Sequence, residues 1–136
     1  MGGAIKRYSC ILIEDDAMAI EMINDYINRR DDLVLLGIGS ELAEVNMLLQ
    51  KLTPSIIFLD LIIPPGESNG FHLGQLPASS CIAIISGIPL HLYKGPLPTG
   101  PIFELSKPIS YESFSRCVEK IVLKLKSEIC ESPDTI

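Results

Sequence analysis

Four small groups of residues could do chemistry together. Three acids stand in a row, Glu14-Asp15-Asp16, and a fourth, Asp60, ends the apolar segment Ser55–Asp60. Ser86 follows the apolar run Cys81–Ile85, and Lys107 follows Phe103–Ser106 and precedes Pro108. Carboxylates brought within about 4 Å repel by on the order of 1–4 kcal/mol per pair. A hard divalent cation such as Mg²⁺ removes that cost, and it prefers oxygen ligands and retains several waters. A carboxylate beside such a cation can attack phosphorus and form an acyl phosphate. A lysine opposite would neutralise the phosphoryl oxygens, and a serine could donate a hydrogen bond to one of them.

Each residue also has a plainer reading. A single acid after a strand is usually a turn former or a helix cap, and Asp16 suits a cap even here. Ser86-Gly87 alone is a turn dipeptide, and Lys107 alone is a solvated charge. The functional reading depends on the elements that bring all of them to one place.

Those elements can be read from hydrophobic periodicity. Tyr8–Ile13, Leu33–Ile38, Ser55–Asp60, Cys81–Ile85 and Phe103–Ser106 are short apolar runs, as the buried strands of a parallel sheet require. Ile20, Ile23 and Ile27 recur at helical spacing and predict a helix over Ala17–Arg30 capped by Asp16. Ser40 is the predicted cap of a second helix over Glu41–Leu52, which Thr53-Pro54 stops. Gly70–Leu76 predicts a short, weak helix. Phe114, Cys117, Val118, Ile121, Val122 and Leu125 form an apolar stripe and predict a helix over Ser110–Ser127.

Gly87–Pro101 holds four Pro and three Gly in fifteen residues. Proline costs roughly 3 kcal/mol in a helix interior. This stretch therefore predicts no regular helix, or a single turn. The domain reading is a short extension over 1–7, one α/β domain over 8–127, and a polar tail over 128–136. In open parallel sheets ligands bind outside the carboxyl ends of the strands. All four groups of chemically capable residues fall at such ends.

Composition narrows the functional classes. The chain has 136 residues, 47% hydrophobic and 21% charged, enough for one domain with a real core. Its net charge of -6 argues against direct nucleic-acid binding. The four cysteines form no CxxC pair and read as free thiols in a reducing cytosol. No apolar run approaches the length of a membrane span, and the first residues lack the apolar core of a signal peptide. His72 and His91 read as surface or loop residues.

CILIEDDA (Cys10–Ala17), IIFLDLIIP (Ile56–Pro64), AIISG (Ala83–Gly87) and LSKPIS (Leu105–Ser110) resemble the motifs of response-regulator receiver domains of two-component systems. The likeness extends over about Tyr8–Lys126, with 45 residues between Asp15 and Asp60 and 21 between Ser86 and Lys107. The opening and the KPIS ending look most like receivers coupled to LytTR-type DNA-binding domains. The resemblance implies a flavodoxin-like (βα)5 fold with a five-stranded parallel sheet in the order 2-1-3-4-5, its fourth helix degenerate or missing.

It further implies that Asp60 is the phosphoacceptor, with Ser86 the switch hydroxyl and Lys107 the phosphoryl partner. Mg²⁺ would be held by Asp15, Asp60 and the backbone carbonyl of Ile62, with Glu14 acting through water or orienting the ion. The implied partners are a sensor histidine kinase and a LytTR-type output domain or a second copy of the chain. Such a domain is a signalling module rather than an enzyme in its own right, beyond catalysing its own phosphoryl transfer.

Three departures bear on output. Gly70 comes about two residues later than the pattern has it. The usual aromatic switch position holds Glu104, with Phe103 one residue earlier. The fourth helix is replaced by the Pro/Gly stretch. They motivate a second reading, a receiver fold that no longer switches and serves as a docking module. Enzymes on similar folds fit less well. A phosphatase would want an acid where Ile62 stands, a flavin carrier would avoid acids after the first strand, and a corrinoid binder would need a His after Asp60.

Overall fold

A computed structural model describes residues 6–63 and 71–131, with side chains through Glu128. Five strands, β1 (Tyr8–Ile13), β2 (Leu33–Gly39), β3 (Ile56–Asp60), β4 (Cys81–Ser86) and β5 (Ile102–Ser106), form one sheet in the order β2-β1-β3-β4-β5. Every pairing is parallel. This is the flavodoxin-like topology that the resemblance to receiver domains implies.

The α-helices among the described residues are α1 (Ala17–Asn28), α2 (Leu42–Leu49) and α3 (Tyr111–Glu131). Successive residues of a strand face opposite sides of the sheet, so two separate cores result. On one side Cys10, Leu12, Phe58, Ala83 and Ile85 pack against Ile23 and Ile27 of α1 and Phe114, Val118 and Ile121 of α3. On the other side Ile11, Ile57, Leu59, Ile82 and Ile84 pack against Leu42 and Val45 of α2 and against Leu73 and Leu76.

The two faces are built differently. The first is closed by two long helices. The second has α2 and two single 3₁₀ turns, Leu73–Gln75 and Leu90–Leu92, where helices were conceivable. The weak helix predicted over Gly70–Leu76 is corrected to the first of these turns. His72 starts it, its Nδ1 accepting from the Gly74 amide at 3.1 Å while the Gln75 side chain accepts from the His72 amide at 2.9 Å. Gly70 and the Pro64–Asn69 part of the loop after β3 lie outside the described residues. Gly87–Pro101 carries only the second turn, as its prolines require.

Two other expectations are corrected. Ser40 does not cap α2: its amide and hydroxyl donate to Glu44 at 2.6 and 2.7 Å, and Glu41 stands at the cap position without a side-chain bond. The carboxylate of Glu44 thus reaches back past the helix start and takes the donors that a cap would have served. α3 runs past the predicted end at Ser127 to Glu131, so the residues 128–131 assigned to the tail are helical. Residues 1–5 and 132–136 lie outside the description.

The Gly87–Pro101 stretch returns to the sheet through one tight contact. A Cβ at Gly100 would stand 2.5 Å from the Ser80 carbonyl oxygen and 3.0 Å from that of Ala78. Both are backbone atoms and cannot rotate away. The Gly100→Ala variant is expected to lose roughly 1–3 kcal/mol of stability. Chemical denaturation followed by circular dichroism would measure it, and an unchanged midpoint would show that this crossing yields easily.

Candidate functional site

Strand register assembles the site. Ile13 pairs with Leu59, so Glu14 and Asp60 come one step later on neighbouring strands. Alternation turns both toward the face that holds Leu12 and Phe58, the side covered by α1 and α3. Beyond β5, Lys107 is anchored by its amide, which donates to the Ser86 carbonyl at 3.0 Å. The Lys107–Pro108 bond is cis.

Carboxylate oxygens of Glu14, Asp15 and Asp60 all lie within 4.8 Å of one another. Glu14 is fully buried and Asp60 is 5% exposed, while Asp15 faces solvent. The Lys107 Nζ lies 3.3 Å from Asp60 Oδ2 and 3.7 Å from Glu14 Oε1. One ammonium therefore serves two buried acids. The other Asp60 oxygen, Oδ1, accepts from the Ile62 amide at 3.0 Å. Glu14 Oε2 accepts from the Asp16 amide at 3.2 Å, and Asp16 Oδ2 caps α1 by accepting from Ala19 at 2.9 Å.

Electrostatics follow from this crowding. Burial, then the nearness of Asp60, push the Glu14 carboxyl up to about 7, against a weaker downward pull from the Asp16 amide and Lys107. Burial lowers the Lys107 ammonium, but Asp60 and Glu14 outweigh it and raise the group above its ordinary value. Glu14 Oε1 is buried and, among the described residues, has no donor within hydrogen-bond distance, the Lys107 ammonium standing 3.7 Å away. A buried acceptor left without a donor costs roughly 1–3 kcal/mol. An all-oxygen donor set with one unanswered buried oxygen fits a hard divalent cation. Mg²⁺ would be held by Glu14, Asp15 and Asp60, the residues expected from sequence, with the Ile62 carbonyl adjacent in the chain.

Ser86 reaches the same sheet edge but not the same face. It continues the alternation of Ile82 and Ile84, opposite to Ile85 and Asp60. Its Oγ donates to the Ile88 carbonyl at 2.8 Å and accepts from the Ile88 amide at 3.1 Å. The hydroxyl expected to meet a phosphoryl group is thus closed into a ring with its own loop. Glu104 is exposed and Phe103 is half-buried.

The direct pairing of Glu14 with Lys107 was not anticipated. The resemblance gave the lysine as partner of the phosphoryl group or, before phosphorylation, of Asp60. The signal was present in the strand lengths, since a run ending one residue before Glu14 and a run ending on Asp60 bring the two acids level.

No family model matches the chain. It is similar to the transcriptional regulatory protein MalR of Bacillus subtilis (strain 168), 28% identical over 121 residues. That match covers 85% of this chain and 51% of MalR, so the chain spans about half the length of this curated relative. Among solved structures, the response regulatory domain of protein mrkE from Klebsiella pneumoniae superposes with a TM-score of 0.67 at 19% identity, over 88% of this chain and 98% of that one. A two-component response regulator of the LuxR family from Aurantimonas sp. SI85-9A1 gives a TM-score of 0.68 at 19% identity, over 88% and 87%. The chain therefore has the fold of response-regulator receiver domains.

The raised Glu14 carboxyl sets a pH dependence. Its proton is held in the folded state up to about 7 but is released near the ordinary 4.5 on unfolding. Stability should therefore fall as pH rises between these values and level off above, by on the order of 1–3 kcal/mol. In chelator, Glu14→Gln should lack this component and be the more stable protein at pH 8. Urea denaturation of both proteins from pH 4.5 to 8 isolates it as a difference, and parallel curves would contradict the assignment.

Proposed function

We propose that the chain is a phospho-accepting receiver domain of a two-component system, with Asp60 the residue that takes the phosphoryl group. The observation that carries this reading is the buried Asp60 carboxylate 3.3 Å from Lys107 and clustered with Glu14 and Asp15. An Asp60 oxygen attacks the phosphorus of a phosphohistidine on a sensor kinase. The P–N bond breaks, the electron pair leaves with the imidazole, and Asp60 becomes an acyl phosphate. Lys107 remains opposite the new charge. Bound Mg²⁺ would supply charge neutralisation for the phosphoryl oxygens. Charge at a strand end then biases the loops around it.

Ser86 must exchange its two bonds to Ile88 for one to a phosphoryl oxygen if it is to report phosphorylation. That requirement keeps a second reading in view, a non-switching docking module. The likeness to MalR, a transcriptional regulatory protein about twice as long, supports a transcriptional output in a longer protein. The finer likeness to LytTR-coupled receivers rests on Cys10–Ile27 and Lys107–Ser110. No helix among the described residues is long and apolar enough to cross a membrane.

With Mg²⁺ at ten times its Kd, the stability of the protein should rise by about 1.4 kcal/mol. Beryllofluoride with Mg²⁺ should add a further increase and shift the amide resonances of Ser86–Ile88. Asp60→Asn should abolish the beryllofluoride response. An equal response from both proteins would remove Asp60 as acceptor. Mg²⁺ and beryllofluoride binding with Ser86–Ile88 unmoved would favour the docking module.

A further inference from the structure

Lys107 lies on a loop, yet its ammonium must stay between two carboxylates carried by β1 and β3. One long-range bond bears on that. Tyr26, in the last turn of α1, donates its hydroxyl to the Ile109 carbonyl at 2.9 Å across 83 residues of sequence. Ile109 is two residues beyond Lys107 and its side chain is buried. The loop is thus pinned on both sides of the lysine, by its own amide to β4 and by Ile109 to α1.

The tyrosine itself is held firmly. Its ring meets Tyr111 edge-on and Phe114 at a tilt, both at 5.5 Å between centroids. Phe114 stacks on Phe58 at 5.3 Å, and Phe58 is two residues before Asp60 on β3. On the solvent side the Arg29 guanidinium covers Tyr26 at 5.6 Å and Tyr111 at 5.0 Å, and is itself paired with Asp25 at 2.9 Å. Cation–π contacts of this kind hold rings as well as charges. The strand that presents Asp60 and the loop that presents Lys107 are therefore tied to one aromatic cluster.

We infer that Tyr26 is a positioning residue for Lys107, setting the ammonium against Asp60 through the Ile109 carbonyl. The inference deepens the phosphoacceptor reading and rests on it for its purpose, though not for its geometry. The test is Tyr26→Phe, which keeps the ring and removes the hydroxyl. Tyr8→Phe is the control, because the Tyr8 hydroxyl is buried without a hydrogen-bond partner among the described residues.

Two measurements are made. In the metal-free protein, hydrogen exchange of the Lys107 amide should speed up on the order of fivefold or more in Tyr26→Phe. Exchange in the β1–β3 ladder should not change, and Tyr8→Phe should leave Lys107 as it is. With Mg²⁺, beryllofluoride affinity should drop on the order of three- to tenfold in Tyr26→Phe, while affinity for Mg²⁺ alone holds. In a Lys107→Met background, Tyr26→Phe should cause no further drop. Unchanged exchange at Lys107 would overturn the inference, as would an equal drop in the Lys107→Met background. A wild type that takes no beryllofluoride would count against the phosphoacceptor reading instead, and the exchange result would still decide the role of Tyr26.

Discussion

The arrangement of this sheet edge depends on one cation facing two buried carboxylates. Without the Lys107 ammonium, Glu14 and Asp60 would be two acids side by side in a place that water scarcely reaches. Burying a carboxylate without a partner is costly enough that the group usually neutralises instead. Glu14 shows how near that limit lies, since its carboxyl is pushed up to about 7 even with the lysine in place. The site holds its charge under tension, and a cation or a phosphoryl group is the kind of ligand that relieves it.

Much of this was legible in the residues. The five strands came from five apolar runs and their parallel pairing from the alternation of strands with helices, while the order of the strands came from the resemblance to receiver domains. Asp60, Asp15, Glu14 and Lys107 stood out because they end or follow strands, which parallel pairing gathers at one edge, and their separate roles came from the resemblance to receiver domains. Asp16 was read as the cap of α1 and is one. The absence of a helix in Gly87–Pro101 followed from proline chemistry alone.

What escaped has equally local causes. Ser40 looked like a cap because Ser, Thr, Asp and Asn usually are, but Glu44 competes for its donors. Gly70–Leu76 was read as a short, weak helix, but it has too few residues to repay the nucleation of one. The facing of Ser86 depends on the parity of its position in β4, and a boundary read one residue early hides that parity. The Tyr26–Ile109 bond joins positions 83 apart, which no window along the chain can see.

The two faces of the sheet also differ in how freely they can be rewritten. A helical cover ties the identity of each residue to its neighbours three and four away, so change there must be concerted. The turns over the second face answer to few such rules, because they are held by a few short-range backbone bonds and a handful of apolar anchors such as Leu73, Leu76 and Leu90. Lineages can therefore vary this side in length and composition while the opposite side keeps the charged pocket in shape. A fold so divided can acquire a new recognition surface without rebuilding its chemistry.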